Sequence, residues 1–134
     1  MPPSVIKKPN VEISEELRKQ LTTKVDEEGQ VILHVIYHAP MDEFMALIRI
    51  WPTSFLYDKH SEHKSELVHA ENISYYPSWH QCIPGVDNYF TLIFTGLPKS
   101  CTVFDFIEHC GGGGGAFEVK NIQRNSHDVY NIRL

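Results

Sequence analysis

The segment YFTLIFTGLPKSCTVFDFIE (residues 89–108) contains two alternating apolar runs separated by a proline-containing turn. Every second position in each run is a large apolar residue, namely Phe90, Leu92 and Phe94 in the first run and Phe104 and Phe106 in the second. Because successive side chains of a β-strand point to opposite faces, each run places these residues on one face. The segment therefore predicts two strands with their apolar faces buried in the core.

Similar runs occur along most of the remaining chain. In VILHVIYHA (31–39), the residues Val31, Leu33 and Val35 share the predicted inward face. Further strands are predicted in FMALIRIW (44–51), in PTSFLYD (52–58) after a bend at Pro52, in LVHAENISYYPSW (67–79), in AFEVKNI (116–122) and in VYNIRL (129–134). With turn residues between these runs and no long helical period, the pattern predicts seven or eight strands in an antiparallel β-sandwich or barrel.

The five consecutive glycines at 111–115 follow His109 and Cys110. A phosphate-binding loop needs a Gly-Lys-Ser/Thr sequence and a helix after it, whereas this run is followed by the strand-like AFEVKNI. Glycine tolerates almost any backbone conformation. The run is therefore interpreted as a mobile connection between two strands on the solvent side.

The opening segment also resembles a known group of domains. Its FTLIF, LPK and FDFIE sequences (90–94, 97–99 and 104–108) are similar to those of small immunoglobulin-like β-sandwich domains in uncharacterised bacterial proteins, notably of the Bacteroidetes. ELVHAENISYYP and IRIWPTSFLYD look like further strands of that group, so the likeness covers roughly residues 31–108. The resemblance implies an all-β, immunoglobulin-like antiparallel sandwich and implies no activity.

A chain of 134 residues favours one domain, predicted here as residues 13–134 after a flexible N-terminal segment at 1–12. SEELRKQLTTKV (14–25) is compatible with a short helix capped by Ser14 or with a strand in its second half, and the strand is favoured. The N-terminal residues lack the apolar run of a secretory signal, and the three cysteines are an odd number. These features predict a cytoplasmic protein with reduced thiols.

The formal net charge of −5 opposes attraction to nucleic acid or to an anionic membrane surface. Lys and Arg form no run that suggests a local basic patch, and no stretch of 18 apolar residues is present. Nucleic acid and membranes are therefore not expected as partners.

Aromatic residues are concentrated in SYYPSWH (74–80), which contains Tyr75, Tyr76 and Trp79. Tyr and Trp bury a large area with little loss of rotamer freedom, so they are favoured at recognition surfaces, where they grip a protein or stack on a sugar. These three residues are the candidate binding site of a non-enzymatic interaction module with a protein partner. Both Trp51 and Trp79 are also expected to pack against the core.

A second hypothesis is a zinc-binding protein that uses a histidine and cysteine cluster. Zinc needs three or four converging nitrogen or sulfur ligands. The candidates are His60, His63, His69, His80 and Cys82. Under the first hypothesis no cofactor is expected.

A third hypothesis is a thiol enzyme that uses Cys82 or Cys101. A nucleophilic thiol needs a lowered pKa, which a helix terminus or a nearby positive group supplies. Few helices are predicted, and the serine-hydrolase motif G-x-S-x-G does not occur in the sequence. The protein is therefore predicted not to be an enzyme.

Overall fold

A computed structural model describes residues 29–41, 46–111 and 116–134. Within these ranges the chain forms β-strands and connections without a helix, so the all-β prediction is confirmed. No helix of this part of the chain has the length and apolar character needed to cross a membrane. The predictions for residues 1–12 and 14–25 fall outside the described residues.

Nine strands are present in the described ranges. They are β1 (Gln30–His38), β2 (Leu47–Ile48), β3 (Ser54–Asp58), β4 (Lys64–Glu71), β5 (His80–Gln81), β6 (Asp87–Thr95), β7 (Val103–Glu108), β8 (Glu118–Gln123) and β9 (Val129–Arg133). Seven of them form one sheet in the order β8-β7-β3-β4-β6-β1-β9, and β2 pairs with β5 in a separate small sheet.

The seven-stranded sheet is mixed, which corrects the prediction of a purely antiparallel fold. Strands β1 and β9 run parallel, with Leu33 opposite Tyr130 and Val35 opposite Ile132, whereas the other neighbours are antiparallel. The physical reason is the path of the chain after β8. Strands β8 and β9 lie at opposite edges of the sheet, so the short connection between them crosses to β1 instead of forming a hairpin.

The sheet curls into a half-barrel, and its concave face encloses the core. Strands β7 and β9 are five strand positions apart, which would separate them by about 24 Å in a flat sheet. Yet the rings of Phe104 and Tyr130 lie edge to face with centroids 5.1 Å apart, and those of Phe94 and Phe106 are 5.9 Å apart. One curled sheet thus packs against itself, and the immunoglobulin-like pair of sheets is not confirmed.

The predicted inward faces of three strands are confirmed. All eight residues are fully buried in the core: Val31, Leu33, Val35, Phe90, Leu92, Phe94, Phe104 and Phe106. The opposite face of β6 is covered as well, since Thr91 and Ile93 are also buried. The Thr91 hydroxyl lies 2.8 Å from His34 Nδ1 on the neighbouring strand. The middle of β6 is therefore covered on both faces.

The connection between β8 and β9 is held by Arg124. Its guanidinium forms a bidentate ion pair with Asp128, with Nε···Oδ1 and Nη2···Oδ2 distances of 2.5 and 2.9 Å. It also donates to the carbonyl oxygens of Pro98 and Cys101 in the β6–β7 connection. The Tyr130 hydroxyl donates to the same Asp128 carboxylate. These bonds attach the β8–β9 connection to the β6–β7 connection.

The predicted strand at 44–51 is described from residue 46 onward. Among residues 46–51, Leu47 and Ile48 pair with strand β5, which is itself two residues long. Ile50 adds an isolated bridge to Tyr75, and the chain bends at Pro52 as predicted. The described part of this segment therefore belongs to the small sheet and not to the seven-stranded sheet.

An ion cluster joins the ends of β1, β6 and β9. The Asp87 carboxylate accepts hydrogen bonds from Arg133, at 2.9 and 3.1 Å, and lies 3.0 Å from His38 Nδ1. The hydrogen bonds from Arg133, followed by that from His38, lower the pKa of Asp87 to about 2. The ionised carboxylate is thus favoured in the folded protein.

We expect the Asp87 contribution to stability to disappear in acid. A group with a lowered folded pKa stabilises the protein above its unfolded pKa, about 3.9, and this stabilisation is lost as the pH falls through the folded value. Urea unfolding of the wild type and of Asp87→Asn should therefore differ at about pH 6 and converge at about pH 1.5, below the folded pKa. An equal difference at both pH values would contradict the assignment, and exposed Glu118→Gln serves as the control.

Candidate functional site

The small sheet of β2 and β5 has one buried face and one exposed face. Ile48, Ile50 and Cys82 point into the core, and alternation places Leu47, Arg49 and Trp51 on the other side. In the antiparallel register Leu47 faces Gln81 and Ile48 faces His80, which places Arg49 opposite Trp79. The exposed face therefore combines an arginine with aromatic residues from two separate segments.

These side chains form a compact group, called here the aromatic–arginine cluster, which consists of Arg49, Trp51, Tyr76 and Trp79. The guanidinium carbon of Arg49 lies 3.8 Å from the Trp79 ring centroid, 4.7 Å from that of Tyr76 and 5.7 Å from that of Trp51. Trp51 and Tyr76 stack nearly parallel, with centroids 3.7 Å apart. Attraction between the cation and the ring faces holds Arg49 in this position.

Backbone hydrogen bonds fix the segment that carries the aromatic residues. The Ile50 amide donates to the Ser74 carbonyl at 2.8 Å, and the Tyr76 amide donates to the Ile50 carbonyl at 2.9 Å. Arg49 Nη1 donates to the Pro77 carbonyl at 3.2 Å, after a cis Tyr76–Pro77 peptide bond. Residues 74–79 therefore turn around the Arg49 side chain and present the rings of Tyr76 and Trp79 to it.

The buried Glu108 carboxylate binds the backbone of the cluster residue Trp51. Its Oε2 accepts a hydrogen bond from the Trp51 amide at 2.8 Å, and its Oε1 accepts one from the Phe117 amide at 2.9 Å. Only 3% of Glu108 is exposed, so this carboxylate satisfies two backbone donors where water has little access. One side chain thus joins the backbone of Trp51 to the start of β8.

The glycine run connects the antiparallel strands β7 and β8, as the sequence predicts. The residues on either side of this connection are joined by a hydrogen bond from the Glu108 amide to the Phe117 carbonyl at 3.0 Å. At Gly111 a Cβ atom would come within 3.6 Å of the Trp51 ring, so the run begins in contact with the cluster. The prediction of a mobile, solvent-side connection concerns mainly residues 112–115, which lie outside the described residues.

The structure exposes all three aromatic residues of the sequence-based candidate site. Tyr75 and Tyr76 are exposed, and 54% of Trp79 is accessible. The prediction that Trp79 packs against the core is wrong, because Trp79 lies on the outer face opposite Arg49; Trp51 is half-buried. Sequence reasoning did not include Arg49 or Trp51 in the site. The available signal was the alternation in IRIW, which turns Arg49 and Trp51 away from Ile48 and Ile50.

Further apolar side chains are exposed at the same end of the half-barrel. Met41 follows β1, and Leu47 lies on β2. Ile83 and Val86 lie in the connection between β5 and β6. Exposed apolar groups that are close together are typical of interaction surfaces. The end of the half-barrel that carries the cluster therefore also presents exposed apolar side chains, which favour contact with another molecule.

The five predicted zinc ligands are distributed over the two ends of the molecule. His60 and His63 lie in the β3–β4 turn, and His63 Nε2 contacts the Ser65 hydroxyl and the Gly96 carbonyl. His69 pairs with Glu71 on β4, while His80 lies on β5 next to the buried Cys82. Across the part of the chain that the structure describes, no three His, Cys, Asp or Glu side chains are placed to hold a metal ion. The zinc hypothesis stays a prediction.

Burial raises the pKa of the thiols of Cys82, Cys101 and Cys110. For Cys101 the charge of Asp58 acts in the same direction, as does that of Glu108 for Cys110. A nucleophilic cysteine needs the opposite shift, because the thiolate is the reactive form. The environment of these three thiols therefore gives no support to the thiol-enzyme hypothesis.

Comparison with known proteins found no matching family model, no matching curated protein and no matching solved structure. The candidate site is accordingly defined by the contacts described above.

Proposed function

We propose that the protein is a non-enzymatic binding module that recognises a protein partner through the aromatic–arginine cluster. The observation that carries this proposal is the position of Arg49 among three rings on an exposed sheet face. Trp, Tyr and Arg are the residue types that contribute most binding energy at protein interfaces. Here all three types are combined in one group, with further apolar side chains around it.

The organisation of the cluster before binding supports a recognition role. Arg49 is held by the Pro77 carbonyl and by the rings, and Trp51 is held through its amide by Glu108. Ordering flexible side chains on binding costs free energy, and groups that are already ordered avoid most of this cost. A partner therefore meets a surface whose shape is set by the fold.

The same contacts favour a protein over a sugar as the ligand. A sugar stacks on the open face of an aromatic ring, but Arg49 covers one face of Trp79, and Trp51 and Tyr76 cover one another. Exposed apolar residues next to the cluster, such as Leu47, suit the larger and more apolar contact area of a protein.

The proposal includes no cofactor and no catalytic residue. The immunoglobulin-like classification of the all-β fold is likewise a proposal, based on the resemblance of residues 89–108. Neither statement is needed for the binding role, which depends on the cluster alone.

Replacement of Tyr75, Tyr76 and Trp79 by Ala should abolish recovery of the partner and weaken binding of the purified partner by more than about tenfold. The measurement is affinity purification with mass spectrometry, followed by calorimetric titration of the partners recovered. Tyr89→Ala is the matched control, because Tyr89 and Tyr76 are both 42% exposed and Tyr89 lies on β6, outside the cluster.

Circular dichroism should show that the triple variant keeps its β-sheet content, since the three side chains contribute little to the core. If a folded triple variant retained every partner of the wild type, the surface assignment would be wrong. Equal loss with Tyr89→Ala would mean that exposed aromatic residues bind nonspecifically.

A further inference from the structure

We infer that the partner binds Arg49 through a carboxylate, so that the ligand is an acidic peptide segment with an apolar residue beside its Asp or Glu. This inference rests on the proposed function and specifies the chemistry of the partner. It depends on three features of the cluster: the unused donors of Arg49, the aromatic rings that lie against its guanidinium and the neighbouring exposed apolar side chains.

The first feature is the set of donors that Arg49 retains. A guanidinium has five N–H groups, and the one hydrogen bond that Arg49 makes within the described part of the chain is that from Nη1 to the Pro77 carbonyl. Arg124 and Arg133 each pair with an aspartate, whereas Arg49 forms no ion pair with a carboxylate of the described residues. The Arg49 charge is thus available to a partner.

The second feature is the arrangement of the rings around the guanidinium. Trp79 and Tyr76 lie closest to Arg49, with centroids 3.8 and 4.7 Å from its central carbon. Stacked contacts occupy the face of a guanidinium and leave its N–H groups in the plane free to donate. A carboxylate binds such an edge with two parallel hydrogen bonds. The rings therefore hold Arg49 ready for bidentate contact.

The third feature is the composition of the neighbouring surface. Leu47 is exposed two positions before Arg49, and Ile83 is exposed after the end of β5. An acid that reaches Arg49 consequently places its neighbours over apolar side chains. Recognition of phosphorylated motifs uses clusters of arginines, whereas the cluster holds a single cation. A singly charged carboxylate matches this surface better than a phosphate does.

The test uses a phage-displayed library of random peptides of about a dozen residues, selected on the wild-type protein. We expect the recovered peptides to be enriched in Asp or Glu next to an apolar residue. Synthetic copies should bind Arg49→Gln at least about tenfold more weakly than the wild type. Arg49→Lys should also bind more weakly, because lysine keeps the charge but lacks the planar pair of donors.

Lys120→Gln is the control for charge, since it removes one positive charge from exposed β8 outside the cluster. It should bind the peptides as the wild type does. Near-ultraviolet circular dichroism should show that Arg49→Gln keeps the Trp51–Tyr76 stack. Affinity should also fall with added salt, because the predicted contact is an ion pair.

The outcomes separate this inference from the proposed function. The inference of a carboxylate contact would be wrong if the recovered peptides carried no acidic residue, or if they needed Trp79 but bound Arg49→Gln as well as the wild type. Either result would leave the proposed binding module intact. Peptides that still bind the triple variant of Tyr75, Tyr76 and Trp79 would overturn both. Failure to enrich any peptide would count against both.

Discussion

Phe104→Ala should lower the free energy of unfolding by about 3–5 kcal/mol, the cost of emptying a fully buried phenylalanine site. Phe104 is fully buried, and its ring meets Tyr130 across the concave face of the half-barrel. The substitution thus removes core volume and also the contact that links the two sides of the curled sheet. Urea unfolding followed by far-ultraviolet circular dichroism measures the loss.

Phe55→Ala is the matched control, because it makes the same chemical change on β3 at a half-buried position. Its cost should be less than half that of Phe104→Ala, since a partly exposed side chain loses less buried area. Equal costs at the two positions would contradict the assignment of the concave face as the core.

A double-mutant cycle tests the curl directly. Phe104→Leu and Tyr130→Leu should be coupled by about 0.5–1.5 kcal/mol, as is usual for aromatic pairs in contact. The loss of the Tyr130 hydroxyl contributes equally to both sides of the cycle and cancels. Additive effects would mean that the rings do not meet and that β7 and β9 lie far apart.

The second large effect concerns Glu108. Glu108→Ala should destabilise the protein by about 3 kcal/mol, because it leaves the Trp51 and Phe117 amides without their acceptor in a buried place. Glu108→Gln should cost about half as much, because the amide keeps one acceptor oxygen. Denaturant unfolding of the three proteins provides the comparison.

Glu118→Ala is the control for Glu108. Glu118 is exposed and pairs with exposed Lys120, so its removal should change stability by less than about 0.5 kcal/mol. Tryptophan fluorescence should shift in Glu108→Ala, because the Trp51 amide loses its anchor, and should not shift in Glu118→Ala. A small effect of Glu108→Ala on stability would mean that another group satisfies the two amides.

The strand faces were predictable from the sequence because they depend on alternation alone. Phe90, Leu92 and Phe94 are buried as their spacing predicts, and so are Phe104 and Phe106. The order of the strands is a property of pairs that are distant along the chain. No local pattern distinguishes a partner in a second sheet from one in the same curled sheet, and the parallel pairing of β1 with β9 has no signature within either strand.

The candidate site was only partly predictable for a related reason. Tyr75, Tyr76 and Trp79 are adjacent in sequence and of a type that favours recognition. Arg49 and Trp51 come from another segment, and the register of β2 with β5 brings them to the rings. The alternation places Glu108 on the inner side with Phe104 and Phe106. It does not reveal the two backbone amides that donate hydrogen bonds to the Glu108 carboxylate.

The parallel pairing of β1 and β9 has a consequence for the folding reaction. Ile32 and Val129 are neighbours in the sheet although roughly a hundred positions separate them in the chain. Closing so large a loop is entropically costly, and contacts of this kind slow folding. We therefore expect β9 to dock after the antiparallel core of β3, β4, β6 and β7 has formed. During synthesis on the ribosome, the edge of β1 that pairs with β9 therefore stays unpaired until β9 has been synthesised.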